Sequence, residues 1–70
     1  MSKNWHPENL RRGRNYAFHL DDGGTVEIVC MIFDGIFIDS RTLMLRGLNV
    51  VTKENTAFAV TSVLEVQAAH

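Results

Sequence analysis

The chain has almost none of the residues that small domains use as cross-links. Cys30 is the single cysteine, so no intramolecular disulfide can form, and His6, His19 and His70 lack the spacing of a zinc site. A domain of 70 residues is only marginally stable alone and usually needs a disulfide, a metal or a partner subunit. Because the sequence shows neither a disulfide pair nor a metal or cofactor motif, we predict no cofactor and expect association with further copies.

Net charge and long apolar runs are also scarce. The formal net charge is −1, so any site for a polyanion must be a local patch rather than a global basic field. No apolar run reaches membrane-spanning length, and the first residues lack the apolar core of a signal peptide. A lone cysteine in an apolar segment fits a reducing compartment. We therefore predict a soluble cytoplasmic protein without a membrane partner.

The usual motifs of enzymes are missing as well. The sequence contains no nucleophile–base pair, metal-ligand cluster or phosphate-cradling glycine loop. Asp21 and Asp22 precede Gly23 and Gly24, which is a hairpin signal, and an exposed hairpin tip does not give a carboxylate pair the environment that catalysis needs. The chain is not expected to be an enzyme.

Short alternating apolar segments dominate what the sequence does contain. Pro7 suits the first position of a helix and Gly13 the residue after its end, so a helix of about two turns is predicted over residues 7–12. Trp5 is expected to hold this helix against the rest of the domain. Tyr16 and Phe18 alternate with polar neighbours, which predicts a half-buried strand over residues 15–20.

Further strands are predicted along the rest of the chain. They cover residues 25–33, 36–45, 48–52 and 56–66, with breaks at 34–35 and 46–47 and a bend at 61–62. The segment 36–45 is mixed, because residues 39–40 fit either a turn or a bulge within it. Residues 1–6 and 67–70 are predicted to be flexible ends. The pattern indicates one domain over residues 1–70, an all-β fold with a short N-terminal helix and a small, strongly bent, five-stranded antiparallel barrel.

This order of elements resembles the Sm-like family of SH3-like barrels, which includes the Sm and LSm proteins and bacterial Hfq. The first Sm motif runs from a glycine through alternating apolar residues to a leucine, an Asp-Gly turn and a final Phe-Asp. Its positions are matched without a gap by Gly13, Tyr16, Phe18, Leu20, Asp22, Gly23, Phe33 and Asp34. Leu43 and Leu45 resemble the apolar pair of the third strand, and the arginines near Gly13 resemble the helix end of Hfq. The resemblance covers residues 7–66.

The chain departs from the family where nucleotides are read. Ile28 replaces the glycine at the middle of the second strand, and Ile38 or Thr42 stands where an asparagine reads uridine. The sequence Val-Thr-Ser at 60–62 replaces Ile-Arg-Gly, and Ala-Phe at 57–58 replaces the Lys-His pair of Hfq. The scaffold therefore matches the family better than the nucleotide pocket does.

The resemblance implies a cyclic homo-oligomer, joined through the last strands of adjacent copies, that binds single-stranded RNA. The candidate RNA-binding residues are Arg11, Arg12, Arg14, Asp34, Arg41, Thr42, Thr61 and Ser62. The three N-terminal arginines equally fit a solvated helix end. For Arg41 the favoured interpretation is an exposed residue at the start of a strand. Asp34 equally fits a plain turn. The alternative function is a module for protein interaction or for a small nucleotide-like ligand on the same ring scaffold.

Overall fold

Five antiparallel strands form one sheet in the computed structural model, which describes residues 5–69. The strands are β1 (Asn15–Asp22), β2 (Thr25–Asp39), β3 (Thr42–Asn49), β4 (Asn55–Ala59) and β5 (Val63–Ala68). Their order across the sheet is β4-β3-β2-β1-β5. The predicted all-β fold with five antiparallel strands is confirmed.

Strands β4 and β5 are the two edges of this sheet. Within residues 5–69 no ladder joins one edge to the other, so the sheet is not closed into a barrel. The first half of β2 pairs with β1 and the second half with β3, and both neighbours are present only near Met31 and Ile32. The longest strand therefore joins two half-sheets that overlap at its centre.

The predicted N-terminal helix is wrong beyond its first three residues. The sequence Pro7–Asn9 forms a 3₁₀ turn, after which Leu10 is extended. Gly13 has φ +81° and its N–H donates to the carbonyl of Phe33 over 2.8 Å, while the N–H of Phe33 donates to the carbonyl of Arg14 over 2.9 Å. Residues 13–14 thus prolong the β1–β2 pairing, because these hydrogen bonds replace those that a two-turn helix would make.

Strand β2 passes through the predicted break at residues 34–35. Asp34 is the extra residue of a bulge, and Gly35 pairs with Arg46 of β3. The reversal comes at Ser40 and Arg41, which have φ values of +49° and +67°. The Asp-Gly dipeptide favours a turn, but here it kinks the strand without ending it.

Strand β3 likewise continues through the predicted break at residues 46–47. The separate strand predicted over residues 48–52 is also wrong, since β3 ends at Asn49. The carboxamide Oδ1 of Asn49 accepts the N–H groups of Val51 and Thr52 over 2.8 and 3.1 Å. Asn49 thereby folds the chain into a turn, as its side chain readily does.

The last predicted strand is divided at the predicted bend. A 3₁₀ turn, Val60–Ser62, separates β4 from β5. The bend at Thr61 and Ser62 is confirmed, and it sends β5 across to pair with β1, with an irregularity between His19 and Leu20. The two strands therefore reach opposite edges of the sheet.

The core lies on the inner face of the sheet. Its buried side chains are Trp5, Phe18, Met31, Phe33, Leu45, Val60 and Val63. The rings of Phe18 and Phe58 meet edge to face with centroids 5.2 Å apart, a favourable aromatic geometry. Trp5 connects the N-terminal segment to this core.

Parts of the predicted flexible ends are built into the fold. Trp5 is buried, and Gln67 and Ala68 pair with β1. The N–H of Ala69 also donates to the carbonyl of Asn15 over 2.9 Å. Residues 1–4 and 70 of those ends lie outside the described residues. No helix in the described part of the chain is long and apolar enough to cross a membrane.

Candidate functional site

The three N-terminal arginines lie on the segment between the first 3₁₀ turn and β1. Arg11, Arg12 and Arg14 are all exposed. The N–H of Arg11 donates to the Oη of Tyr16 over 2.9 Å, and the carbonyl of Arg14 accepts from Phe33. The backbone of this segment is therefore fixed to the sheet, while Arg11, Arg12 and Arg14 remain exposed residues.

The bulge at Asp34 places that carboxylate beside β3. Its Oδ2 lies 3.5 Å from the Nε of Arg46, and both side chains are more than half exposed. An exposed pair of this kind contributes only about 0–1 kcal/mol to folding. The ion pair is therefore better described as a means of orienting Arg46 than as a source of stability.

The same bulge reverses the facing of the residues that follow it. In a regular strand, side chains alternate between the two faces, so Phe37 would lie on the same face as Phe33. The extra residue breaks this count: Gly35 lies opposite Arg46, and Ile36 lies opposite the buried Leu45. Phe37 consequently turns to the outer face, away from the core.

On that outer face Arg46 lies over Phe37. The Cζ of Arg46 is 6.0 Å from the centroid of the Phe37 ring, within the range of a cation–π contact. Arg46 is flanked in the sheet by two small residues, Gly35 on β2 and Ala57 on β4. The small neighbours leave a groove of about 480 Å³, which has Asp34, Phe37, Arg46, Gly47, Asn55, Thr56 and Ala57 along its walls.

A second guanidinium group reaches the same place from the N-terminal segment. A β-carbon built on Gly35 would lie 3.7 Å from the Nε of Arg46 and 3.8 Å from the Nη2 of Arg12. Among residues 5–69, Asp34 is the single carboxylate within ion-pairing distance of either group. The guanidinium groups of Arg12 and Arg46 therefore both lie next to Gly35.

Arg12 also borders a smaller cavity of about 350 Å³ between the N-terminal turn and β2. Glu8, Leu10 and Ile36 contribute to its walls. Gly35 also lines this cavity, and Arg46, which lines the groove, lies close to the same glycine. The groove and the smaller cavity therefore lie near each other, close to Gly35.

The other candidate residues lie at a different part of the sheet. Arg41 is in the β2–β3 turn and Thr42 begins β3, while Thr61 and Ser62 belong to the 3₁₀ turn after β4. Met44 pairs with Ala59, so these two turns are at the same end of the sheet. Thr42 is four residues from Arg46, or about 13 Å along an extended strand. The eight candidates therefore divide into a group near Gly35 and a group at the hairpin tip.

The chemistry available is recognition by charge, stacking and hydrogen bonding. In the described part of the chain no three His, Cys, Asp or Glu side chains are close enough together to hold a metal ion. Arginine forks match phosphate oxygens, and planar groups stack on nucleobases. Near Gly35, Arg12 and Arg46 can bind phosphate oxygens, and the guanidinium plane of Arg46 and the ring of Phe37 can stack on a base.

Sequence reasoning missed the part played by Arg46 and Asn55. Arg46 lies at a predicted strand break, and Asn55 lies between two predicted strands, so the sequence marks neither as a candidate. Phe37 is not among the candidate residues given by the sequence. The recoverable signal is the pairing of Gly35 with Arg46, which can be found only by aligning β2 with β3 across the extra residue Asp34.

Comparison with known proteins adds no relative: no family model, no curated protein and no solved structure matches the chain.

Proposed function

We propose that this chain is the subunit of an Sm-like ring that binds single-stranded RNA without catalysing a reaction. The observation that carries the proposal is the strand order, which leaves β4 and β5 as the two edges of one sheet. In the Sm-like family the last two strands of adjacent copies pair edge to edge. The strand order supports the same pairing here, with β4 of one copy beside β5 of the next.

The composition of the two edges supports this pairing. Monomeric sheets protect their edges with lysine, proline or inward charges, because unpaired edges associate. Strand β4 (Asn55–Ala59) has no charged residue and no proline, and β5 has Glu65 as its single charge. Leu64 on β5 is also 49% exposed. Edge pairing repeated around a closed ring would leave no edge free.

Each subunit of the ring would be a strongly bent sheet of the barrel type that stays open between β4 and β5. The support for this is the long β2, whose two halves pair with different strands and whose path is kinked by the bulge at Asp34. The radius of gyration of 11.3 Å is that of a compact small domain. We place the ring in the cytoplasm, where Cys30, which is a free thiol, would remain reduced.

RNA binding would depend on the local basic patch. A net charge of −1 per chain gives no general attraction for a polyanion, but a ring repeats Arg11, Arg12 and Arg14 in every subunit. Phosphate contacts by such arginines give affinity and register, whereas base contacts give specificity. Arg41, Thr42, Thr61 and Ser62 would add hydrogen bonds at the other end of the sheet.

The oligomeric state tests the ring. Light scattering of the full chain at micromolar concentration is expected to give one species whose mass is an integer multiple, three or more, of 7.9 kDa. Association should persist in high salt, because the β4–β5 interface would consist of backbone hydrogen bonds and apolar contacts. A monomer at that concentration would contradict the ring.

Filter binding with U-rich and A-rich oligonucleotides tests RNA recognition. Affinity should fall steeply with salt, and the slope against log salt should decrease when Arg11→Ala and Arg14→Ala are combined. Lys53→Ala removes a charge from the β3–β4 turn and is the matched control, expected to leave the slope unchanged. Absence of binding to either oligonucleotide at low salt would refute this half of the proposal while leaving the ring intact.

One observation favours protein interaction as a second candidate. Val26 and Ile28 alternate on the outer face of β2 and are 54% and 59% exposed, and neighbouring apolar residues of this kind are typical of contact surfaces. Under this alternative the ring forms but does not bind RNA. Replacing Val26 and Ile28 by threonine would then abolish capture of the partner and leave the oligomer unchanged.

A further inference from the structure

We propose that the groove on the outer face of β2, β3 and β4 binds one nucleoside monophosphate unit, with its phosphate at the guanidinium groups of Arg46 and Arg12 and its base beside Phe37. The unit would be either a free mononucleotide or one nucleotide of a single strand, since both present the same chemistry. The ligand class rests on the proposed nucleotide-binding function, but the groove lies within one chain and does not depend on ring formation.

The phosphate position follows from the convergence of two arginines. Arg12 and Arg46 each bring a guanidinium nitrogen within 4 Å of the β-carbon position of Gly35, so the two charged groups together cover that glycine. Guanidinium groups bind phosphate oxygens through paired N–H donors. Two of them at one point offer more donors than the single carboxylate of Asp34 can occupy, so an anion with several oxygens fits there.

The base position follows from the planar groups next to that point. Phe37 and Arg46 lie in contact on the outer face, and nucleobases stack on both aromatic rings and guanidinium planes. Stacking tolerates every base, because each base has a π-face. The groove should therefore accept purine and pyrimidine nucleotides alike, with hydrogen bonds adding only a modest preference.

The size and the rim of the groove fit one nucleotide. Its volume of about 480 Å³ lies in the range of small-ligand sites, about 300–1,000 Å³. Asn55 and Thr56 form its β4 wall, and their side chains can donate to and accept from a ribose or a base edge. Asp34 supplies an acceptor for an exocyclic amino group, which an inorganic anion lacks.

Titration calorimetry on the full chain tests this site with defined probes. The probes are AMP, UMP, ribose 5-phosphate and inorganic phosphate, together with a 5′-labelled single-stranded RNA followed by fluorescence anisotropy. Binding of AMP and UMP that exceeds binding of ribose 5-phosphate identifies a site for free mononucleotides. Binding of the labelled RNA alone, weakened by the groove variants below, identifies a nucleotide within a strand.

Two substitutions separate stacking from charge. Phe37→Leu keeps an apolar side chain but removes the ring, and it should weaken binding by about fivefold to about 150-fold, the value of one stacked base. Arg46→Gln should lower the slope of log affinity against log salt by about one. Lys53→Gln removes the same charge from a residue that borders neither cavity, and it should leave both quantities unchanged.

The possible results distinguish failure of the groove proposal from failure of the proposed nucleotide-binding function. If the wild-type protein binds RNA but neither Phe37→Leu nor Arg46→Gln changes the affinity, RNA is bound elsewhere and the groove proposal is overturned alone. If the wild-type protein binds neither the mononucleotides nor the RNA, the nucleotide-binding function fails together with the groove. Circular dichroism and light scattering on each variant show that an observed loss is not a loss of folding or of assembly.

Discussion

Gly47 on β3 lies so close to the carbonyl oxygen of Ile32 on β2 that no β-carbon fits between them. The Cγ of Met31 would also lie only 2.7 Å from such a carbon. The close approach occurs where β2 is paired on both sides, so neither strand can move away without disturbing a second ladder. A glycine at this position is therefore a packing requirement.

Gly47→Ala is expected to destabilise the fold by about 1–3 kcal/mol, the usual cost of overpacking a core. Urea denaturation followed by circular dichroism measures the change. Gly35→Ala is the matched control, because the nearest atom to a β-carbon there is 3.7 Å away, an ordinary contact. Equal midpoints for Gly47→Ala and the wild type would show that the strands separate at Gly47 at little cost.

The β2–β3 turn has a non-glycine residue with positive φ at both of its central positions. Ser40 and Arg41 have φ values of +49° and +67°, the conformation that two-residue hairpins usually give to Asn-Gly. The double substitution Ser40→Asn with Arg41→Gly should therefore stabilise the protein by about 1 kcal/mol, because it relieves left-handed strain. Thermal unfolding should show a higher midpoint.

Arg41→Ala serves as the control for that turn. It removes the same charge but keeps a β-carbon, so no stabilisation is expected. A gain as large as that of the double substitution would assign the effect to charge removal rather than to the backbone.

Tyr16 connects the sheet to the arginine-bearing segment. Its Oη accepts the N–H of Arg11 over 2.9 Å, and its ring packs edge to face on Phe18 with a centroid distance of 6.0 Å. Tyr16→Phe removes the acceptor and keeps the ring, so global stability should fall by at most about 1 kcal/mol. Hydrogen exchange at the Arg11 amide should accelerate while amides in β2 keep their protection. An unchanged exchange rate at the Arg11 amide would mean that this hydrogen bond does not hold the N-terminal segment on the sheet.

Leu64 is the exposed apolar residue on the β5 edge, and it tests the edge-pairing model directly. Leu64→Lys places a charge on that edge, a natural means of preventing strand addition. Light scattering should show dissociation towards monomers with unchanged circular dichroism. Val51→Lys makes the same kind of change at a side chain that is 79% exposed in the β3–β4 turn, and it should leave the oligomer intact.

The sequence predicted those parts of the fold that depend on local alternation. Tyr16 and Phe18 mark β1 through a period of two, and the loss of phase at Thr61 and Ser62 marks the bend. The breaks predicted at Asp34 and Gly47 are wrong, because pairing between β2 and β3 overrides the local preference of these residues for turns. The 3₁₀ turn at Pro7 shows the same effect, since a valid helix start does not by itself extend the helix.

The candidate site was predictable only as separate residues. Arg12 and Asp34 stood out as charged residues with a family precedent, but their common location depends on the fold of the N-terminal segment. Arg46 and Phe37 meet because one extra residue reverses the facing of β2 beyond the bulge. Neither the composition nor the spacing of the sequence shows that Asp34, rather than a neighbouring residue, is the extra residue of the bulge.

The ladders of the sheet also differ greatly in how far apart along the chain their strands lie. Each of β1–β2, β2–β3 and β3–β4 is a hairpin, whereas β1–β5 joins Tyr16 to Ala68 across nearly the whole chain. Closing so long a loop costs entropy before the contacts form. The hairpins should therefore form early and β5 should dock last, so β5 substitutions should mainly accelerate unfolding and leave the folding rate nearly unchanged. Association of copies through β5 would then be coupled to the final folding step, and its rate would depend on protein concentration even though the hairpins form within one chain.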